Sequence, residues 1–278
     1  MKNKLSVTLA IAVLLLSSPC IFAAETNDTA VTDLHNLVSK INTKLMAGKI
    51  QEADLADNLK EFDVLLAKHK GDKPEDLAQI LMMKAQLYLE VLHDPEKAAD
   101  VFQQIKHDFP TTEIGKRVDT ILDSLKQPIE AQRIRRMLVE GSQFQDFNEK
   151  DVTGKPLSIA NYKGKVVLID FWATWCLPCV AEMPNVIQTY QKHHAQGFEI
   201  IGISLDKDQQ TLERFIKDNN MTWPEFFDGQ DFGNKLAVKY GIMSIPATFL
   251  LDRKGKIIAK DLRGEGLEQA VAKALAKK

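Results

Sequence analysis

Residues 166–179 read VVLIDFWATWCLPC, and this stretch constrains the fold more than any other in the chain. Val166–Ala173 is a run of β-branched, aliphatic and aromatic residues interrupted only by Asp170. Such a run suits a strand buried on both faces. A helix is predicted to follow, from about Pro178 to Ala195. The strand therefore delivers Cys176 to a helix N-terminus, with Cys179 one turn further in.

Two cysteines separated by two residues allow three readings. A four-ligand zinc site needs two further Cys or His residues at matching spacing. His193 and His194 are adjacent on the following helix, and the chain has no second C-x-x-C. A structural bridge of this spacing closes a very small loop, and small loops give little stabilisation. A redox pair has a mechanism. Free N–H groups and the dipole at a helix start favour an anion, which lowers the pKa of a cysteine placed there. The Cys176 thiolate then attacks a partner disulfide and forms a mixed disulfide. Cys179 lies close enough to attack Cys176 and release the partner.

Alternating strands and helices continue to the C-terminus. Phe198–Leu205 is predicted as a second buried strand, Gln209–Asn220 as a helix and Leu236–Tyr240 as a short helix. Ala247–Leu251 and Lys256–Leu262 flank a turn, DRKG, and read as an antiparallel hairpin. Leu267–Lys277 reads as a terminal helix. A β-α-β unit followed by a hairpin and a helix is an α/β sandwich.

The N-terminal half has a different period. Leu34, Leu37, Val38, Ile41 and Leu45 follow helical spacing, as do Leu55, Leu59, Phe62, Leu65 and Leu66. Pro74 opens a third helix. Asp94-Pro95 caps a fourth, which runs to about His107. A fifth covers roughly Glu113–Leu125, and residues 126–143 link it to the α/β part, with a further short helix within them. Asp76–Pro110 resembles one tetratricopeptide unit, with Ala85 and Tyr88 on the first helix and Ala98, Phe102 and Ile105 on the second. A plain helical bundle explains the same pattern, because arrays of such units need about three.

The chain starts with Lys2 and Lys4, an apolar run from Leu5 to Leu16 and the small pair Ala23-Ala24. This is the pattern of a secretory signal with cleavage after Ala23 or Ala24. An uncleaved anchor is the alternative, but the run is shorter than the ~20 residues of a membrane span. Cys20 follows Ser17-Ser18-Pro19, which departs from a lipoprotein signal, so lipid anchoring is not expected. The expected organisation is a signal at 1–24, an all-α region at 25–135 and an α/β domain at 141–278. A periplasmic location would let disulfides persist. The net charge of −2 gives no reason to expect a nucleic-acid partner.

VVLIDFWATWCLPC followed some 70 residues later by SIPATFLLD resembles the thioredoxin superfamily. GKPLSIANYKGKVVLIDFWATWC and CVAEMPNV narrow the resemblance to its exported TlpA/ResA branch. The match covers about Gly141–Lys278 and leaves the helical region aside. It implies a thioredoxin fold, a central mixed sheet flanked by helices, and a thiol-disulfide oxidoreductase needing no cofactor or metal. Cys176 would attack and Cys179 resolve. Asp170 matches the buried acid of thioredoxin, a group that would take the proton from Cys179; many relatives in the branch lack it. Glu182 matches a glutamate that tunes the cysteine pair, although a solvated helix face explains it nearly as well. Pro246 matches the cis-proline facing the disulfide, where the backbone of Ile245 would hold an extended substrate. Trp175 would contact substrate, while Trp172 belongs to the core. Leu177 and Pro178 stand at the two positions that tune redox potential.

The resemblance also implies partners: client proteins with disulfides, and a membrane electron donor of the DsbD/CcdA type. Reduction of client disulfides is the leading expectation. A disulfide oxidase or isomerase is the alternative, for which a homodimer through the helical region would enclose a client. A protein-binding helical module with a secondary redox domain is the third. The peroxiredoxin pattern, Thr-x-x-Cys, is not met, since Thr174 lies two residues before Cys176.

Overall fold

The computed structural model describes residues 29–277. The expected signal at 1–24, Cys20 included, lies outside these residues. Among the described residues no helix is long and apolar enough to cross a membrane.

Five helices come first: α1 (Ala30–Met46), α2 (Glu52–Lys68), α3 (Pro74–Gln86, continued by a π-helical turn at Leu87–Val91), α4 (Pro95–Asp108) and α5 (Glu113–Met137). Their starts follow local chemistry. Thr29 accepts from the Thr32 N–H, and Asp94 accepts from the Lys97 N–H with Pro95 at the first helical position. The apolar stripes read from the sequence form two cores. Leu34, Leu37, Ile41, Leu55, Leu59 and Phe62 meet in one. In the other, Ala85 and Ala98 are both fully buried beside Phe102 and Ile105.

The helix expected to stop at Leu125 instead runs on to Met137 with Pro128 inside it. An internal proline costs about 3 kcal/mol through its missing N–H and its ring. Burial of Ala131 and packing of Ile134 on the C-terminal core oppose that local preference. The chain divides into two compact units, one ending at Ile129 and the other beginning at Glu130, so the boundary lies within α5.

The first strands of the C-terminal unit form a two-stranded ribbon, β1 (Glu149–Lys150) and β2 (Pro156–Leu157). Its main sheet holds β3 (Val166–Trp172), β4 (Phe198–Ser204), β5 (Glu225–Phe226), β6 (Ala247–Leu251) and β7 (Ile257–Lys260) in the order β5-β4-β3-β6-β7. β4 runs parallel to β3 and β5, while β6 runs antiparallel to β3 and β7. The helices are α6 (Leu177–His193), α7 (Gln209–Asp218), α8 (Lys235–Lys239) and α9 (Glu265–Ala276), with α6 and α9 packed together. The sheet is mixed and flanked by helices, as expected of the thioredoxin fold. Every residue of β3 is buried, which accounts for its unbroken apolar run. β1, β2 and β5 are not legible in the sequence, because two residues are too few to establish a period.

Candidate active site

The strand-to-helix turn after β3 carries the two cysteines. Cys176 is the N-cap of α6 and Cys179 lies within its first turn. They are joined as a disulfide, with their Cα atoms 5.2 Å apart. The Cys176 sulfur accepts from the Cys179 N–H at 3.2 Å, so an orphan donor of the helix start already points at the sulfur that would carry the negative charge. Both residues are nearly buried, Cys176 at 5% and Cys179 at 3% exposure. The sequence leads one to expect shielding of Cys179 alone; in the disulfide form the side chain of Cys176 is withdrawn too.

The turn is pinned from β4. Asp206, just past the end of that strand, accepts from the Thr174 N–H and, at 2.6 Å, from its hydroxyl. Ser204 in turn donates to Asp206 at 2.8 Å. Sequence reasoning misses Asp206, although an acid at the C-terminal end of a parallel strand is a recognisable signal. Around the pair, Trp175 is 49% and Leu177 80% exposed, and Pro178 is exposed too. Trp175 leans on Phe232, with ring centroids 6.0 Å apart. These side chains form an apolar rim open to solvent, whereas Trp172 is buried.

Behind the pair, Asp170, Cys179, Glu182, Pro246, Thr248 and Arg263 line a cavity with only about 10 Å³ of open space, room for at most one water. The Ile245–Pro246 bond is cis, and Ile245 and Pro246 are both partly buried. Asp170 is 6% exposed, and burial pushes its carboxyl up to about 7; Arg263 opposes that shift and Glu182 adds to it. Glu182 is half-buried, lines this cavity and accepts from the Gly264 N–H. Asp170 and Glu182 are thus gathered with Cys179 and Pro246 in one cavity, while Trp175, Leu177 and Pro178 stand on the open side.

Arg263 carries no signal in the sequence that would single it out. Its guanidinium donates to the Pro246 carbonyl, to the Leu262 carbonyl at 2.6 Å and to the Thr248 hydroxyl at 3.4 Å. It joins the proline loop to the neighbourhood of Asp170. Replacing it with methionine removes the positive charge that holds the Asp170 carboxyl down. The Asp170 titration in Arg263→Met is expected to move up by about one pH unit or more, followed by carboxyl NMR. An unmoved midpoint would mean that the guanidinium charge does not reach Asp170.

No group of three or more His, Cys, Asp or Glu side chains among the described residues is placed to hold a metal ion. The arrangement can do thiol chemistry: a helix start to carry a thiolate, a second sulfur one turn away, and a carboxyl beside that second sulfur able to change charge near neutrality.

A family model described as AhpC/TSA family matches residues 141–260. The thiol-disulfide oxidoreductase ResA of Bacillus thuringiensis subsp. konkukian (strain 97-27) is 32% identical over 137 residues, 49% of this chain and 77% of that protein. The thioredoxin-like protein YneN of Bacillus subtilis (strain 168) is 36% identical over 121 residues, 42% of this chain and 68% of that protein. A crystal structure of the thioredoxin domain of a thiol-disulfide oxidoreductase from Bacteroides vulgatus aligns at 33% identity, covering 49% of this chain and 97% of its own, with a TM-score of 0.45. Relatedness over the C-terminal unit and a closed cysteine pair at a helix start within a thioredoxin fold lead to one assignment: the chain belongs to the ResA-like thiol-disulfide oxidoreductases.

Proposed function

We propose that the protein is an exported reductase of client-protein disulfides, re-reduced by a membrane electron donor of the DsbD/CcdA type. The observation that carries the direction is the buried Asp170 lining one cavity with Cys179. A strong dithiol oxidant owes its potential to a stabilised reduced form. A carboxylate buried next to the pair works the other way, because its negative charge disfavours a thiolate there. The reduced pair is then a better electron donor.

In the reductive cycle the Cys176 thiolate attacks a client disulfide, one client sulfur leaves as a thiolate, and a Cys176–client disulfide forms. Asp170 takes the proton of Cys179, whose sulfur attacks Cys176. The Cys176–Cys179 bond forms and the second client sulfur leaves with the electron pair. The apolar rim of Trp175 and Leu177 would receive the client, with the backbone at Ile245 and Pro246 holding it extended. Measuring the reduction potential of the pair tests the direction. A value nearer that of thioredoxin, about −270 mV, is expected; one as oxidising as that of DsbA, about −120 mV, would sink the reductase reading.

The basic, apolar start of the chain supports export. A second reading, isomerase through a homodimer of the helical unit, draws on exposed apolar side chains there, Met46 at 78% and Val64 at 61%. Light scattering that returns the mass of a monomer would remove it.

A further inference from the structure

Glu225 lies on the short edge strand β5, yet it is only 1% exposed. The strand register explains where its carboxyl goes. Thr248, Asp170, Gly202 and Glu225 stand opposite one another on β6, β3, β4 and β5. Residues opposite one another across a sheet share a face. Asp170 and Glu225 therefore rise from the same face, separated by one strand that has no side chain in that row. The space above Gly202 is filled by Glu225: a Cβ at residue 202 would sit 2.1 Å from both carboxyl oxygens. Strands are spaced about 4.8 Å apart, so the Glu225 carboxyl, seated above β4, lies about one strand spacing from β3, which carries Asp170.

Two indoles hold it there. Trp172, two residues beyond Asp170 on the same face, donates to Oε2 at 3.0 Å, and Trp223 donates to Oε1 at 2.8 Å. Both donors are neutral, so neither supplies a charge to balance a carboxylate. We propose that Asp170 and Glu225 form a coupled acid pair that carries one negative charge beneath Cys179, with Glu225 the positioning residue that keeps the second proton. This rests on the thiol-disulfide exchange described above.

The other titratable or charged groups facing the pair are Cys179 and Glu182 from α6, Arg263 beyond β7 and Asp206 past the end of β4. Tyr190 of α6 stands behind Trp223, ring centroids 5.1 Å apart. Burial pushes Glu225 up to about 8; the two indoles oppose this, while Asp170 and Asp206 add to it. Arg263 lines the cavity with Asp170 and favours the negative charge there. In the resolving step the Cys179 proton passes to the Asp170 carboxylate as the Cys176–Cys179 bond forms and the Cys176–client bond breaks. The client sulfur leaves with the electron pair and takes its proton from water. Glu225 stays neutral throughout. Its ionisation would add a second negative charge one strand away and hold the Cys179 proton on its sulfur.

The test is a carboxyl titration of the reduced full-length protein by carbon-13 NMR, paired with the pH dependence of mixed-disulfide resolution. In Asp170→Asn the Glu225 midpoint is expected to fall by about one pH unit, a tenfold change in its protonation equilibrium. In Glu225→Gln the high-pH step is expected to vanish from the titration, and resolution should continue to accelerate above pH 8 where the parent levels off. A Glu225 midpoint unmoved in Asp170→Asn would overturn the pair, and that measurement stands even if Glu225→Gln fails to fold. The exchange reading fails separately, if the parent protein titrates as a pair but resolves no mixed disulfide.

Discussion

Replacing Cys179 with serine is expected to leave client proteins attached to Cys176 as stable mixed disulfides. The second sulfur lies within the first turn of α6, with its Cα 5.2 Å from that of Cys176, so it is the group placed to displace a client. Without it the first attack proceeds and the second does not. Turnover with a disulfide substrate is expected to fall by more than ~10³-fold, on the scale of losses seen when one member of a covalent catalytic unit is removed. Mass spectrometry of the trapped species would show the client bond at Cys176. A Cys179→Ser protein that turns over at the parent rate, or that carries no adduct after exposure to clients, would overturn the division of labour between the two sulfurs.

Asp170→Asn has an expected effect on both rate and stability. The rate effect is loss of a base beside Cys179; general bases of this kind contribute about 10²–10⁴-fold, and resolution of a mixed disulfide near pH 8 should slow on that scale. The stability effect has the opposite sign. The folded-state value, about 7, is above the ordinary 3.8. The unfolded chain therefore releases this proton first as pH rises. Below about pH 4 both states hold the proton and the residue costs nothing. Between about pH 4 and pH 7 the cost grows, and above pH 7 it is complete, at about 4 kcal/mol from roughly 1.4 kcal/mol per unit. Asparagine does not ionise. Thermal unfolding of Asp170→Asn should match the parent near pH 4 and occur at higher temperature at pH 8. Equal unfolding at both pH values would show that Asp170 is not held neutral by burial.

A buried acid that weakens the fold but speeds the chemistry is a trade of stability for function. Glu225 is likewise an acid held in the interior, with a glycine opposite it and two indoles around it. Both acids rise from one face of the sheet, while Trp175 and Leu177 stand exposed on the open side of the cysteine pair.

Much of this architecture is legible in the amino-acid sequence. The apolar run of β3, the helix that begins at the cysteines and the amphipathic stripes of α1 and α2 are local signals. In each the hydrophobic period or a capping residue specifies the element without reference to distant parts of the chain. The cysteine spacing and Asp170 are likewise legible, because strand and helix geometry carry them to one place. The extent of α5 is not legible, since Pro128 argues locally for a stop and only burial of Ala131 and packing of the partly buried Ile134 argue against it.

The surroundings of Asp170 were decided by tertiary structure alone. Thr248, Asp170, Gly202 and Glu225 meet in one row because four strands align in register. Arg263 reaches the Pro246 carbonyl from just beyond the end of β7. The sequence by itself determined where the two sulfurs stand, since a helix start and a two-residue gap are properties of a continuous segment. Which acids and which cation stand near those sulfurs was decided by strand pairing and by the packing of α6 and the segment after β7 on the sheet, because these bring together residues that no local period connects.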